Sequence, residues 1–145
     1  MNIEPMGPEH REDILAMMRV FYASPALYTN GSEEIFRADV EECLGESPYL
    51  EGYVFTENGA LLGYAMLAKS FSTEFGRRCV WLEDLYLRPE HRGRGHGSAF
   101  LRFLREKYPD AVLRLEAEAA NRRALHVYRK DGYQELPYRE LYRIH

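Results

Sequence analysis

One stretch of this sequence, from Val80 to Tyr108, contains two different apolar patterns separated by a glycine-rich turn. An apolar run that is broken only by Glu83-Asp84 continues to Leu87, as is typical of a strand. After the turn, apolar residues recur at helical spacing, at Ala99, Phe100, Leu101, Phe103 and Leu104. The stretch therefore predicts a strand, a tight turn and a helix in succession.

The turn itself reads Arg92-Gly93-Arg94-Gly95-His96-Gly97-Ser98, and it has the chemistry of an anion site. Its glycines carry no Cβ, so backbone N–H groups, including that of His96, can converge on one point. The start of the following helix adds unpaired N–H groups and a partial positive charge. Arg92 and Arg94 add full charges that can grip phosphate oxygens. A tight turn with its arginines in solvent is the alternative, but the flanking strand and helix favour a phosphate or diphosphate site.

Length and composition indicate one domain over residues 1–145, with 46% apolar residues to build a core. No apolar run reaches the roughly 18 residues of a membrane span, and the first residues lack the pattern of a secretory signal. Cys43 and Cys79 lie far apart in the sequence, and we expect both to be reduced core residues of a cytoplasmic protein.

The formal net charge of −4 disfavours general nucleic-acid binding, which needs a basic surface. Between Gly31 and Ala60, Arg37 is the only basic residue among many acidic ones. This segment either attracts a cation or is simply a solvated helix face. The five histidines show no metal-ligand spacing, so no metal is expected.

The remaining patterns predict a mixed α/β (α+β) domain with the order β-α-α-β-β-β-α-β-α-β. The expected strands are Asn2–Met6, Tyr49–Thr56, Ala60–Ser70, Arg78–Leu87, Ala111–Glu116 and Tyr133–Ile144, the last interrupted at Pro137. The expected helices run from Gly7-Pro8 to Ala23, from the cap Ser32 to Gly45, from Gly95 to about Tyr108, and from the cap Asn121 to Asp131-Gly132. Asn58-Gly59 predicts a hairpin, and the helix after the glycine turn predicts a parallel pair of strands.

These residues resemble the GCN5-related N-acetyltransferases (GNAT family). The acetyl-CoA motif of that family is matched by Arg92, Gly95 and Gly97, with Gly93 in a common additional place. A second family element is matched by Asn121, by Tyr128 seven positions later, and by Gly132-Tyr133. The element order is also similar, so the resemblance covers nearly the whole chain. Within the family, Leu82-Glu83-Asp84 looks most like the diamine (spermidine/spermine) acetyltransferases, which suggests an amine substrate.

The resemblance implies that strands four and five splay apart and hold the pantetheine arm of acetyl-CoA between them. It implies that the backbone of Leu85, Tyr86 and Leu87 pairs with this arm, and that the diphosphate lies on Gly93–Ser98. Asn121 then either touches the cofactor or serves only as a helix cap. A homodimer and a small-molecule or peptide amine as acceptor are further expectations from the family.

Two residues are candidates for the proton transfers of such a reaction. An alkylamine with a pKa near ~10 is mostly protonated at pH 7, so a base must remove its proton before it attacks. Glu83 is the candidate base, although it could instead bind the substrate ammonium or pair with an arginine. Tyr128 is the candidate acid for the departing thiolate, although a tyrosine on an apolar helix stripe is usually a packing residue. Glu116 and Glu118 are weaker candidates for lining the amine pocket.

Two other classes of protein stay open at this point. One is a catalytically silent module that senses acyl-CoA without transferring the acyl group. The other is a nucleotide-binding Rossmann unit, for which Glu116 lies at about the right distance to contact a ribose. The antiparallel meander before the turn, and the short chain after it, argue against a doubly wound sheet.

Overall fold

The computed structural model describes residues 1–145, and four helices flank one sheet of five strands. The strands are β1 (Asn2–Pro5), β2 (Leu50–Glu57), β3 (Ala60–Ser72), β4 (Arg77–Leu87) and β5 (Val112–Leu115). The α-helices are α1 (Arg11–Tyr22), α2 (Glu33–Leu44), α3 (His96–Lys107) and α4 (Arg122–Lys130). Single 3₁₀ turns at Pro8–His10 and Pro89–His91 precede α1 and the glycine-rich turn. No helix combines the length and apolar character that a membrane span needs.

The sheet has the order β1-β2-β3-β4-β5, and only its last pair is parallel. Antiparallel hairpins connect β2, β3 and β4, whereas α3 crosses over to place β5 beside β4. The ladder between β4 and β5 ends at Leu82 opposite Leu115, yet β4 continues to Leu87. The two strands therefore separate beyond this pair, which confirms the predicted splay and the mixed fold class.

Local signals in the sequence account for several element boundaries. The Ser32 hydroxyl accepts a hydrogen bond from the Ile35 N–H at 3.2 Å and caps α2. The Asn121 side chain caps α4 in the same way, through the Ala124 N–H at 3.3 Å. Asn58 and Gly59 both have positive φ, 51° and 79°, as a tight hairpin between twisted strands requires.

The two faces of the sheet carry separate apolar clusters. One cluster packs α1 and α2 against residues such as Val54 and Tyr64, and the other packs α3 against residues such as Phe55 and Val80. Successive strand side chains point to opposite faces, so alternate residues of β2, β3 and β4 serve the two clusters. Cys43 and Cys79 are both free thiols, Cys79 buried and Cys43 partly buried.

The predicted strand over Tyr133–Ile144 is wrong for this chain. This segment contains no strand, and β5 is the edge of the sheet. Tyr133 at its start is partly buried, but the apolar residues after it stay exposed, with Leu141 at 93% and Ile144 at 81%. The segment, here called the C-terminal segment, is held by side-chain contacts with Glu74 and Tyr28. A period of two indicates strand conformation, but a strand also needs a neighbouring strand, and the one backbone hydrogen bond from this segment to another element runs from the Tyr133 N–H to the Tyr128 carbonyl of α4.

A charged network fixes the C-terminal end of α3 to the sheet. Glu51 of β2 accepts hydrogen bonds from the hydroxyls of Tyr53 and Tyr108, and it pairs with Lys107 at 2.9 Å and Lys69 at 3.3 Å. Partial burial alone would raise the pKa of Glu51, but the hydrogen bonds from Tyr53, Lys107 and Tyr108 outweigh it and lower the pKa to about 2. The carboxylate thus stays charged and joins two parts of the fold.

We expect Glu51→Gln to lower the free energy of unfolding by about 1–3 kcal/mol at pH 7, because charge-assisted hydrogen bonds are lost. The pKa of Glu51 is lower in the folded protein than its ordinary value of 4.5, so its charge stabilises the fold fully above about pH 4.5. This stabilisation is lost as pH falls toward about 2. Urea unfolding of both proteins between pH 7 and pH 2.5 should therefore show the difference shrinking at the acid end. Glu46 is exposed, so Glu46→Gln is the control. An equal loss of stability in Glu46→Gln would contradict the stabilising role of the Glu51 network.

Candidate functional site

A cleft of about 620 Å³ opens where β4 and β5 separate. It is bounded by the end of α1, the end of β4, the glycine-rich turn and one side of α4. The predicted site residues that line it are Leu85, Tyr86, Leu87, Arg92, Gly93, Gly95, His96, Gly97, Ser98, Asn121 and Tyr128. The sequence indicated these residues from the end of one strand, the glycine-rich turn and a second motif further along the chain, and the fold brings them to one surface.

The glycine-rich turn forms one end of the cleft. Gly93 and Gly95 have φ values of +77° and +82°, a region that residues with a Cβ adopt only under strain. Gly95 is the N-cap of α3, so the N–H groups of the next three residues, His96, Gly97 and Ser98, belong to the first turn, which has no intrahelical partners. These donors and the helix dipole make this end suitable for a diphosphate.

Three arginines near the turn take different positions. Arg92 lines the cleft, its Nε donates to the Leu87 carbonyl at 2.8 Å, and its guanidinium lies 5.5 Å from the ring centre of Tyr86. Arg94 is exposed and does not line the cleft. Arg123, which sequence reasoning missed, reaches from α4 over Gly93. A Cβ added to Gly93 would lie only 2.7 Å from the Arg123 guanidinium. The only signal in the sequence was its place two residues after the cap Asn121.

A β-bulge determines how the two acidic residues of β4 point. Asp84 pairs with Met66 and Leu82 with Leu67, so Glu83 has no partner on β3. Asp84 is 4% exposed, and it accepts hydrogen bonds from Tyr22 and Tyr64. Glu83, at the bulge itself, is exposed and does not line this cleft. Partial desolvation, and then the charges of Asp84 and Glu140, raise the pKa of Glu83.

Tyr128 of α4 lines the cleft, and its hydroxyl makes no hydrogen bond within the protein. Its ring packs edge-on against Tyr133, with the ring centres 6.1 Å apart. Burial raises the pKa of Tyr128, so the phenol keeps its proton at neutral pH. A neutral, unpartnered hydroxyl beside a cleft can donate a hydrogen bond or a proton to a bound molecule.

A second cleft, of about 740 Å³, lies between the free edge of β5, α4 and the C-terminal segment. Tyr128 lines both clefts, so they approach each other at its side chain. Glu116 and Glu140 line the second cleft close together, so that protonated Glu116 can donate a hydrogen bond to the Glu140 carboxylate. This bond, followed by desolvation and the charges of Glu140 and Glu83, raises the pKa of Glu116 to about 7. Sequence reasoning did not find Glu140, because only the fold brings the C-terminal segment to β5.

The other acidic candidates are placed less favourably. Glu118 is exposed and lines neither cleft. In the acidic segment 31–60, several carboxylates that could attract a cation are already paired within the protein, among them Glu33, Glu41, Glu51 and Glu57. Asp39 of α2 differs from these: desolvation, and then the charges of Asp84 and Glu83, raise its pKa to about 6.

The comparisons with known proteins agree with this geometry. Residues 15–133 match the Acetyltransferase (GNAT) family. A thialysine N-epsilon-acetyltransferase of Bos taurus is 35% identical over 116 residues, which are 72% of this chain but 66% of that enzyme. The chain thus matches just under two thirds of the length of this relative. The uncharacterized N-acetyltransferase YhfO of Bacillus subtilis (strain 168) is 31% identical over 92% of this chain and 82% of its own length.

Two solved structures show the same fold. A possible acetyltransferase from Clostridium difficile 630 superposes with a TM-score of 0.83 at 17% identity, covering 99% of this chain and 98% of that one. AAC(6')-Iy in complex with the bisubstrate analog CoA-S-monomethyl-acetylneamine gives a TM-score of 0.78 at 18% identity, covering 99% and 97%. Together with the match over residues 15–133, they establish that the chain belongs to the GNAT family of acetyltransferases.

Proposed function

We propose that this protein is an N-acetyltransferase that transfers the acetyl group of acetyl-CoA to a primary amine. The observation that carries the proposal is that one cleft is lined by the glycine-rich turn, by the end of β4 that has no partner on β5, and by Tyr128. The bovine relative is named for acetylating an amine, and the AAC(6')-Iy structure contains a coenzyme A derivative. Both names support the proposal for this chain.

In the proposed complex the coenzyme lies along the cleft. The diphosphate lies on Gly93–Ser98, and the backbone of Leu85–Leu87, which has no partner on the β5 side, pairs with the pantetheine arm. Arg92, Arg123 and Asn121 bind the polar part of the coenzyme from the two sides of the turn. Backbone N–H groups at the splay polarise the thioester carbonyl.

The proposed reaction is direct attack of the amine on the thioester. Glu83, directly or through water, accepts a proton from the ammonium form, which frees the nitrogen lone pair. The new C–N bond forms as the C–S bond breaks, and Tyr128 gives its proton to the departing thiolate. The nitrogen of the new amide then loses its extra proton, through water, to the tyrosinate, which restores Tyr128. The raised pKa of Glu83 moves this candidate base toward neutral pH, and the raised pKa of Tyr128 keeps the phenol protonated, so that it is present as a donor. Contact of Glu83 with the substrate ammonium, without proton transfer, is the alternative role.

The acceptor proposed is a small amine or peptide amine with cationic character. Glu116 and Glu140 lie in the second cleft, which Tyr128 also lines, and the charge of Asp39 acts from the α2 side of the sheet. These carboxylates give the approach to Glu83 a negative potential that favours cations. Glu118, exposed and outside both clefts, is not part of this proposal.

An acetyl-CoA-dependent thiol-release assay with a panel of amines tests the function. We expect thiol release with at least one primary amine, and we expect amino acids with cationic side chains and diamines to exceed neutral amines. A silent acyl-CoA sensor would instead bind acetyl-CoA, as calorimetry would show, and release no thiol with any amine.

We expect Arg123→Ala to raise the KM for acetyl-CoA about tenfold, because a charge-assisted contact with the diphosphate is lost. The turnover number should stay within about twofold, since the residue is remote from the thioester. The neighbouring Arg122→Ala is the matched control, because Arg122 is exposed and lines neither cleft. Equal KM values for the two variants in steady-state kinetics would exclude Arg123 from the diphosphate site.

We expect the KM for a cationic acceptor to fall as pH rises through about 7, because Glu116 loses its proton there and gains a charge. Glu140→Gln should lower this midpoint, since it removes the carboxylate whose hydrogen bond and charge raise the pKa of Glu116. Steady-state kinetics between pH 5.5 and pH 8.5 measures the midpoint in both proteins. A midpoint unchanged by Glu140→Gln would show that another group controls it.

A further inference from the structure

A buried carboxylate on β4 connects two hydroxyls from different parts of the fold. Asp84 is 4% exposed, with Tyr22 Oη donating to Oδ1 at 2.8 Å and Tyr64 Oη donating to Oδ2 at 2.7 Å. A buried carboxylate is unfavourable unless its oxygens are hydrogen-bonded, so the two tyrosines stabilise it at this position. None of the proposed proton transfers uses Asp84.

The two hydrogen bonds connect Asp84 to different elements of the fold. Tyr64 lies on β3, which the ladder already joins to β4 through many backbone bonds, with Tyr64 directly opposite Tyr86. Tyr22 is the last residue of α1, a helix that no backbone ladder fixes to the sheet. The Tyr22 bond therefore attaches the C-terminal end of α1 to the bulge of β4, whereas the Tyr64 bond adds little to an existing connection.

The end of α1 is one wall of the coenzyme cleft. Val20, Phe21, Ser24, Pro25 and Ala26 line it, here called the α1 wall. The ring of Phe21 lies 5.4 Å from that of Tyr86, which lines the cleft from β4. Tyr22 is in the middle of this wall by sequence but points away from the cleft, into the sheet.

We propose that Asp84 is a positioning residue: through Tyr22 it holds the α1 wall at a fixed distance from β4 and so sets the width of the coenzyme cleft. The inference rests on the proposed function, because the cleft is assigned there to acetyl-CoA. If the α1 wall is already fixed in the unliganded protein, less free energy is lost in ordering the wall when the pantetheine arm binds. Glu83, the candidate base, and this anchor are adjacent residues at the same β4 bulge.

The test compares two variants that each remove one hydroxyl from the same carboxylate, Tyr22→Phe and Tyr64→Phe. Hydrogen–deuterium exchange of residues 20–26 in the unliganded protein should become at least about fivefold faster in Tyr22→Phe and stay unchanged in Tyr64→Phe. The Kd for acetyl-CoA, from calorimetry, should rise about fivefold to tenfold in Tyr22→Phe alone. Asp84→Asn should keep near-normal exchange, because an amide can still hydrogen-bond both hydroxyls.

The outcomes separate this inference from the proposed function. Equal exchange rates and equal Kd values in the two tyrosine variants would overturn the inference that Asp84 positions the α1 wall. A raised KM for the acceptor in Tyr22→Phe, with normal exchange, would also overturn it, because Tyr22 would then be a substrate contact. If the wild-type protein fails to bind acetyl-CoA, the proposed function fails, while the exchange of residues 20–26 still decides whether Tyr22 anchors the wall.

Discussion

Tyr128→Phe should lower the turnover number at least about 100-fold, while the Kd for acetyl-CoA changes less than about twofold. The thiolate that leaves the acetyl group needs a proton, and the Tyr128 hydroxyl is free of other hydrogen bonds and protonated at neutral pH. Phenylalanine keeps the ring and its packing but cannot donate. Pre-steady-state thiol release and calorimetry with acetyl-CoA measure the two quantities separately.

Tyr133→Phe is the matched control, since it removes a hydroxyl from the ring that packs against Tyr128. The Tyr133 hydroxyl is buried without a partner, so its loss should leave turnover within about threefold. Unchanged turnover in Tyr128→Phe would exclude this residue as the acid and point to water or a backbone group instead.

Gly95→Val should lower kcat/KM for acetyl-CoA about 100-fold, mainly through KM. Gly95 caps α3 at a φ of +82°, which a β-branched residue adopts only with strain, so the turn must change shape. A changed turn no longer directs the first N–H groups of α3 toward one diphosphate position. Steady-state kinetics with varied acetyl-CoA gives the effect.

Gly59→Val separates binding from stability in this test. Gly59 has a φ of +79°, and a Cβ at this position would meet no atom within 4 Å, as at Gly95. Gly59 lies in the β2–β3 hairpin, however, and does not line the cleft. Thermal melting should show similar destabilisation in both variants, and only Gly95→Val should lose acetyl-CoA affinity. If Gly59→Val lost as much affinity, the effect would come from general destabilisation.

Much of the site was predictable because its signals are local. The glycines at 93, 95 and 97, the cap Asn121 and the position of Tyr128 each depend on conformations within a few residues, and the structure brings them to one cleft. The acidic pair Glu83-Asp84 in β4 was also visible in the sequence. Which of the two is buried was not predictable, because the answer depends on Tyr22 and Tyr64 reaching Asp84 from other elements.

The amino-acid sequence by itself determined the order of the helices and strands up to α4, the glycine-rich turn and the parallel pairing of β4 with β5, since periodicity, caps and turn residues act over short distances. Only the tertiary structure decided the rest: the unpaired C-terminal segment, the place of Glu140 beside Glu116, and Arg123 over Gly93. These depend on contacts between residues far apart in the chain, whose formation depends on the geometry of the whole fold.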